Sequence, residues 1–298
     1  MSTATCDIRF SRQDRYARRS LVSSLTRLGI SNDAVTISGR ATRSGKDVTK
    51  EEFLGAGTET IRTSLTKFLQ KHHLPRAGDL VILDMEPKGI APPHLGDFEG
   101  KQLRDLVAAY RRRIRVARQV LRRTKLPRLR LGLYQVIVPD GRGRTSADFE
   151  HRLRGYIEAG LRGMFDELDF ICPVLYQRFG SDDATPETLR KWIAAASRQA
   201  IEGSLALTRR NGTRIPLVPF LSFWVFNGGS ADNRRAVPPK MLARQLEIVQ
   251  AAVGVEAILF WSAWQTEREM ELAKKPVEPI NINDFLLSVG SLPWPGCT

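Results

Sequence analysis

Residues 79–87 read Asp-Leu-Val-Ile-Leu-Asp-Met-Glu-Pro: four apolar residues, then two carboxylates one residue apart, then a proline. Leu80-Val81-Ile82-Leu83 has no polar side, so both faces of the segment must be covered, as in a parallel strand packed under helices. Four later segments share this character: 128–138 (RLRLGLYQVIV), 169–179 (DFICPVLYQRF), 214–224 (RIPLVPFLSFW) and 256–264 (EAILFWSAW). Successive segments start 49, 41, 45 and 42 residues apart. That spacing leaves room for one helix between each pair of strands.

The stretches between them, 101–124, 146–166, 186–209 and 238–253, have helical apolar spacing, so the chain reads as repeated βαβ units. Before residue 79 the pattern weakens. Residues 7–10 and 34–38 suit strands, and 21–28 and 58–72 suit helices. Two weak strands and five strong ones predict an α/β fold of the (β/α) TIM-barrel type, with seven to eight parallel strands and irregularity at the N-terminus. The expectation is one domain over residues 1–298, with 265–298 as a C-terminal extension. A doubly wound open sheet is the alternative, but it calls for a glycine-rich nucleotide loop. The nearest stretch, Gly39 through Gly45-Lys46-Asp47, is one residue too long for a P-loop and has Asp where Ser or Thr would bind magnesium.

Composition narrows the class further. At 298 residues and 42% hydrophobic, the chain can bury one large core. No apolar run approaches the eighteen residues of a membrane span. The first twenty residues lack an apolar h-region, so no secretory leader is expected and the compartment stays open: intracellular, or secreted with a leader missing. Cys6, Cys172 and Cys297 form neither a disulfide framework nor a metal-ligand spacing; a Cys6–Cys297 bridge stays open. The four histidines show no metal cluster or triad, and neither cofactor nor metal is expected.

The net charge of +14 is uneven, with eleven Arg or Lys against one Asp in residues 104–130. The simpler reading is a solvated outer helix face. The functional reading is attraction to an anionic polymer, an acidic glycan or nucleic acid.

Sites in barrel enzymes form at the C-terminal ends of strands. Residues two apart on a strand share a face, so Asp84 and Glu86 should project together. Entering an apolar interior, they cannot both ionise freely, and one is driven to a raised pKa suited to acid catalysis. The other strand ends carry Tyr134-Gln135, Tyr176-Gln177, Phe223-Trp224, Trp261 and Trp264. Aromatic rings with nearby amides fit the apolar faces and hydroxyls of a sugar. Tyr134, Gln135, Gln177, Trp224, Trp261 and Trp264 are therefore the candidate substrate-binding residues.

These strand ends resemble those of the hyaluronidases, glycoside hydrolase family 56. The matching motifs are Ile82-Leu83-Asp84-Met85-Glu86-Pro87, Gly132-Leu133-Tyr134, Pro173-Val174-Leu175-Tyr176 and Ile258-Leu259-Phe260-Trp261-Ser262, in order over roughly residues 79–265. The sequence departs from the family at Met85, where tryptophan is common between the carboxylates, and at Ser262 in place of glycine. Muramidase-like and chitinase-like barrels share the Asp-x-Glu strand end. The resemblance implies a retaining, substrate-assisted glycosidase acting on an N-acetylhexosamine-containing polysaccharide, anionic in keeping with the basic surface. It implies that Glu86 protonates the glycosidic oxygen, that Asp84 and Tyr176 orient the acetamido group, and that Tyr134 and Trp261 shape the pocket. Such a mechanism dispenses with a second protein carboxylate as nucleophile. The alternatives are a catalytically silent glycan-binding barrel and an anionic-polymer or nucleic-acid binder using the basic 104–130 region.

Overall fold

The computed structural model describes residues 7–12, 31–72, 80–123, 129–137, 146–177, 186–222, 225 and 237–260. Seven strands lie within them: β1 (Asp7–Arg12), β2 (Ser31–Ile37), β3 (Leu80–Leu83), β4 (Arg130–Tyr134), β5 (Phe170–Cys172), β6 (Phe220–Leu221) and β7 (Ala257–Phe260). The helices are α1 (Lys50–Gly55), α2 (Thr58–His72), α3 (Gly100–Arg122), α4 (Ser146–Leu161), α5 (Pro186–Leu205) and α6 (Pro239–Gln250). The five strong segments of the sequence hold β3 to β7, and the two weak ones, 7–10 and 34–38, overlap β1 and β2. The expected helix at 21–28, the Cys6–Cys297 pair and the 265–298 extension lie outside the described residues.

Every strand pairing is parallel, in the order β5-β4-β3-β2-β1-β7-β6. Parallel bridges Ile171↔Leu217 and Val174↔Phe220 also join the two ends of that order. Between them Val218 donates to Ile171 O, and Leu175 donates to Phe220 O at 2.8 Å.

Alternation along the strands divides the core in two. One side chain set, including Val81, Leu83, Leu131, Leu133, Ile171 and Ile258, packs against the helices. The helices supply matching stripes; on α3, Leu103, Leu106, Tyr110, Ile114, Ala117 and Leu121 recur at three- and four-residue intervals and are buried. The other set, Ala34, Leu80, Ile82, Phe170, Cys172, Val174, Tyr176, Val218, Phe220, Ala257 and Leu259, forms a second cluster with no helix residue among those described. Side chains from separate strands cover one another there. Gly132 explains the fit: a Cβ at that position would lie 2.0 Å from the Phe170 ring.

The basic stretch largely faces other parts of the protein. Arg111 and Arg115 pair with Glu167 at 3.2 and 2.5 Å, Arg118 pairs with Asp169 at 3.0 Å, and Arg112 donates to the carbonyls of Leu54 and Ala56. Arg113 is fully buried, its guanidinium 3.7 Å from the Phe53 ring centre. It donates to the carbonyls of Thr42, Arg43, Phe53 and Ala109. The solvated helix face expected from charge holds in part: Arg104, Arg122 and Arg123 are exposed, while the arginines above tie α3 to its neighbours. No described helix is long and apolar enough to cross a membrane.

Candidate active site

Beyond Leu83 the chain leaves the ladder but keeps the strand's alternation. Met85 is buried in the helix-facing cluster, whereas Asp84 and Glu86 fall on the side of Leu80 and Ile82. Two backbone bonds brace this segment: the Asp84 amide donates to Ile37 O at 3.0 Å, and the Glu86 amide donates to Ser44 O at 2.9 Å. Gly39 makes that approach possible, because a Cβ there would stand 2.7 Å from both Asp84 O and Ser44 O.

The two carboxyls meet as expected, but their environments differ. Asp84 Oδ1 is buried and has no hydrogen-bond partner among the described residues. Burial, then the charge of Glu86 beside it, pushes the Asp84 carboxyl up from 3.8 to about 7; Lys46 acts in the opposite direction. Glu86 is less enclosed, its side chain 16% exposed, and its Oε2 lies 3.3 Å from Lys46 Nζ. The raised member of the pair is thus the aspartate.

Tyr134 ends β4 and Tyr176 follows β5. Their hydroxyls meet, Tyr134 Oη donating to Tyr176 Oη at 3.1 Å. Tyr134 also stacks edge-on against Phe220, 5.1 Å between ring centres. Burial pushes both phenols well up, and both sense the charges of Asp84 and Glu86. The pair and the two tyrosines therefore occupy one electrostatic neighbourhood at the C-terminal ends of β3, β4 and β5.

Gln135 follows at once with φ of +61°, in the left-handed region that a side chain rarely adopts, and its carbonyl accepts from Tyr156 Oη at 3.3 Å. Gln177 lies apart from the carboxyl pair. Its side chain is buried and donates to Gln245 Oε1 of α6 at 2.8 Å, while Gln245 bonds Leu175 O and Ser197 of α5. Adjacent residues of a strand face opposite ways, so a Tyr176 turned inward sends Gln177 to the helices. Trp224, Trp261 and Trp264 lie outside the described residues.

Two residues that the sequence did not assign to the site bear on it: Lys46, on the β2–α1 loop and paired with Glu86, and Arg113, which fastens that loop. Lys46 follows Gly45 on a loop at the C-terminal end of β2, a place where sites form, but nothing local to it points to Glu86. Among the described residues no group of three or more His, Cys, Asp or Glu could hold a metal ion.

No protein-family model matches the sequence, and none of the curated proteins compared with it matches. Among solved structures, the chain is similar to bee venom hyaluronidase, with 11% identity, a TM-score of 0.59, and 95% of this chain and 99% of that one covered. A second structure, bee venom hyaluronidase in complex with a hyaluronic acid tetramer, aligns at 10% identity with a TM-score of 0.55 over 94% of this chain and 98% of that one. The likeness is one of fold: an α/β architecture with parallel strands, like that of these barrel glycoside hydrolases.

Proposed function

We propose that the chain is a glycoside hydrolase of hyaluronidase type, cleaving an N-acetylhexosamine-containing polysaccharide with retention through the substrate's own acetamido group. One observation carries this reading: Asp84, Glu86, Tyr134 and Tyr176 converge at the ends of three adjacent parallel strands, with a buried carboxyl raised to about 7. The likeness in fold to a hyaluronidase, one structure of which holds a hyaluronic acid tetramer, supports a polysaccharide as partner.

In this mechanism Glu86, the more accessible carboxyl, donates its proton to the glycosidic oxygen as the C–O bond breaks. Asp84 accepts the acetamido N–H, which turns the acetamido oxygen toward the anomeric carbon, and Tyr176 steadies the group. Water then opens the cyclic intermediate with Glu86 as base. Tyr134 holds Tyr176 in place. The same reading takes residues 1–298 as one domain whose seven strands close into a barrel. The bridges between β5 and β6 and the helix-free inner cluster support closure.

The test is a product screen over acetylated glycans, comparing the native chain with Glu86→Gln. Turnover by the native chain, lost in Glu86→Gln with oligosaccharide binding kept, is the expected result. Equal turnover in both removes Glu86 from the chemistry; binding without any product by the native chain leaves a glycan-binding protein.

A further inference from the structure

We propose that Lys46 is a specificity-determining residue of this site, holding Glu86 as the ionised member of the carboxyl pair until a negatively charged group on the incoming glycan draws it away and the Asp84 proton passes to Glu86. This rests on the glycosidase reading above. It adds a residue, a proton path and a selection rule that the reading does not contain.

The geometry has three parts. First, Lys46 Nζ touches Glu86 and not the buried Asp84 Oδ1. An ammonium favours the charged form of the carboxyl it touches, whereas burial, with Oδ1 unpartnered, and the charge of Glu86 favour the neutral form of Asp84. The resting pair therefore keeps its proton on Asp84, on the wrong residue for protonating a leaving group. Second, the loop under Lys46 is braced by hydrogen bonds. Ser44 O accepts the Glu86 amide, Val48 O accepts the Lys88 amide at 3.1 Å, the Thr42 and Ser44 hydroxyls bond at 2.6 Å, and buried Arg113 holds the Thr42 and Arg43 carbonyls. Third, the Lys46 side chain itself is 78% exposed. A lone ion pair open to water is weak, so an anion on a bound ligand can replace Glu86 as its partner.

Among the described residues, the groups facing the pair from the packed elements are Lys46 from the β2–α1 loop, Tyr134 from β4 and Tyr176 from β5; Tyr110 of α3 senses Glu86 from further away. The phenols stay neutral at physiological pH, so Lys46 supplies the positive charge. When it turns to the ligand, the Asp84 O–H breaks and the Glu86 O–H forms. Glu86 then has the proton that the glycosidic oxygen needs, and Asp84 is left as the carboxylate that receives the acetamido N–H. Charge is conserved, since the ligand anion takes the place of ionised Glu86 beside Lys46.

The experiment uses the full chain with Lys46→Met and Lys46→Arg. Without ligand, carboxyl NMR titration of Lys46→Met should show the shared proton moved from Asp84 towards Glu86, and Lys46→Arg should return it to Asp84; a proton that stays on Asp84 in Lys46→Met overturns the proposal. With hyaluronan and chitin oligosaccharides as probes, Lys46→Met should lower kcat/KM for the uronate-bearing substrate by about tenfold and leave that for the neutral one at or above its native level. An equal loss on both overturns the selection rule. A native chain that cleaves neither probe refutes the glycosidase reading, and the titration still decides the position of Lys46.

Discussion

Tyr134 Oη donates to Tyr176 Oη at 3.1 Å, so the ends of β4 and β5 are joined by side chains beside the carboxyl pair. Tyr176→Phe takes away the acceptor and the hydroxyl proposed to steady the acetamido group. Turnover should fall by roughly a hundredfold, the range seen when one positioned hydrogen-bonding group is lost. Folding stability should change by only about 1 kcal/mol. Steady-state kinetics and urea unfolding on the same preparation check both; a proportional loss of stability would mean that the pair is structural.

Asp84 links the site to pH. Its carboxyl titrates near 7 in the folded protein and near 3.8 in the unfolded chain, so the native state binds the proton more tightly between those values. The resulting stability is fully present below about pH 4 and is lost as pH rises through about 7. Asp84→Asn should therefore be more stable than the native chain at pH 8, by on the order of 2 kcal/mol, with the gain disappearing towards pH 4. Thermal unfolding across that range measures it. The same titration predicts that turnover falls on the alkaline side with an apparent pKa near 7, as the pair gives up its last proton.

Arg113 meets four carbonyls in a buried setting, and burial lowers its guanidinium only to about 9, so it keeps its charge at neutral pH. Arg113→Met would take this donor from the Thr42, Arg43 and Phe53 carbonyls and should destabilise the protein by about 3 kcal/mol. Arg113→Lys should recover less than half, because one ammonium cannot span the positions of a planar fork. Denaturant unfolding of the two variants tests this; full recovery with lysine would show that charge alone matters.

Gln177 was expected at the sugar and is found bonded to Gln245. Gln177→Ala should reduce stability by about 1 to 2 kcal/mol and leave oligosaccharide affinity at the native level. Calorimetry of binding and unfolding separates the two effects, and an affinity loss without a stability loss would return Gln177 to the cleft.

The strands were legible because β3 to β7 are apolar on both faces. Their ladders came out shorter than the apolar runs for a reason also written in the chain. Pro173 follows β5, and Pro216 and Pro219 precede β6; lacking an amide hydrogen, they limit regular pairing there to isolated bridges. The union of Asp84 with Glu86, and the inward turn of Tyr134 and Tyr176, follow from a period of two. That same period sends Gln177 outward, a consequence obscured by grouping it with its neighbour as a sugar-binding unit. Lys46 and Arg113 were hidden differently. Lys46 meets a residue forty positions away, and Arg113 reaches carbonyls about seventy away, so neither contact leaves a local pattern.

Beneath the carboxyls the inner face is furnished with Ile82, Phe170 and Phe220, drawn tight by the missing Cβ of Gly132. Among the described residues such a floor offers hydrons few stepping stones. Exchange of the acidic hydrogen with solvent would then run chiefly through the open end of the site, where a seated oligosaccharide would act as the stopper, so occupancy itself would slow that exchange.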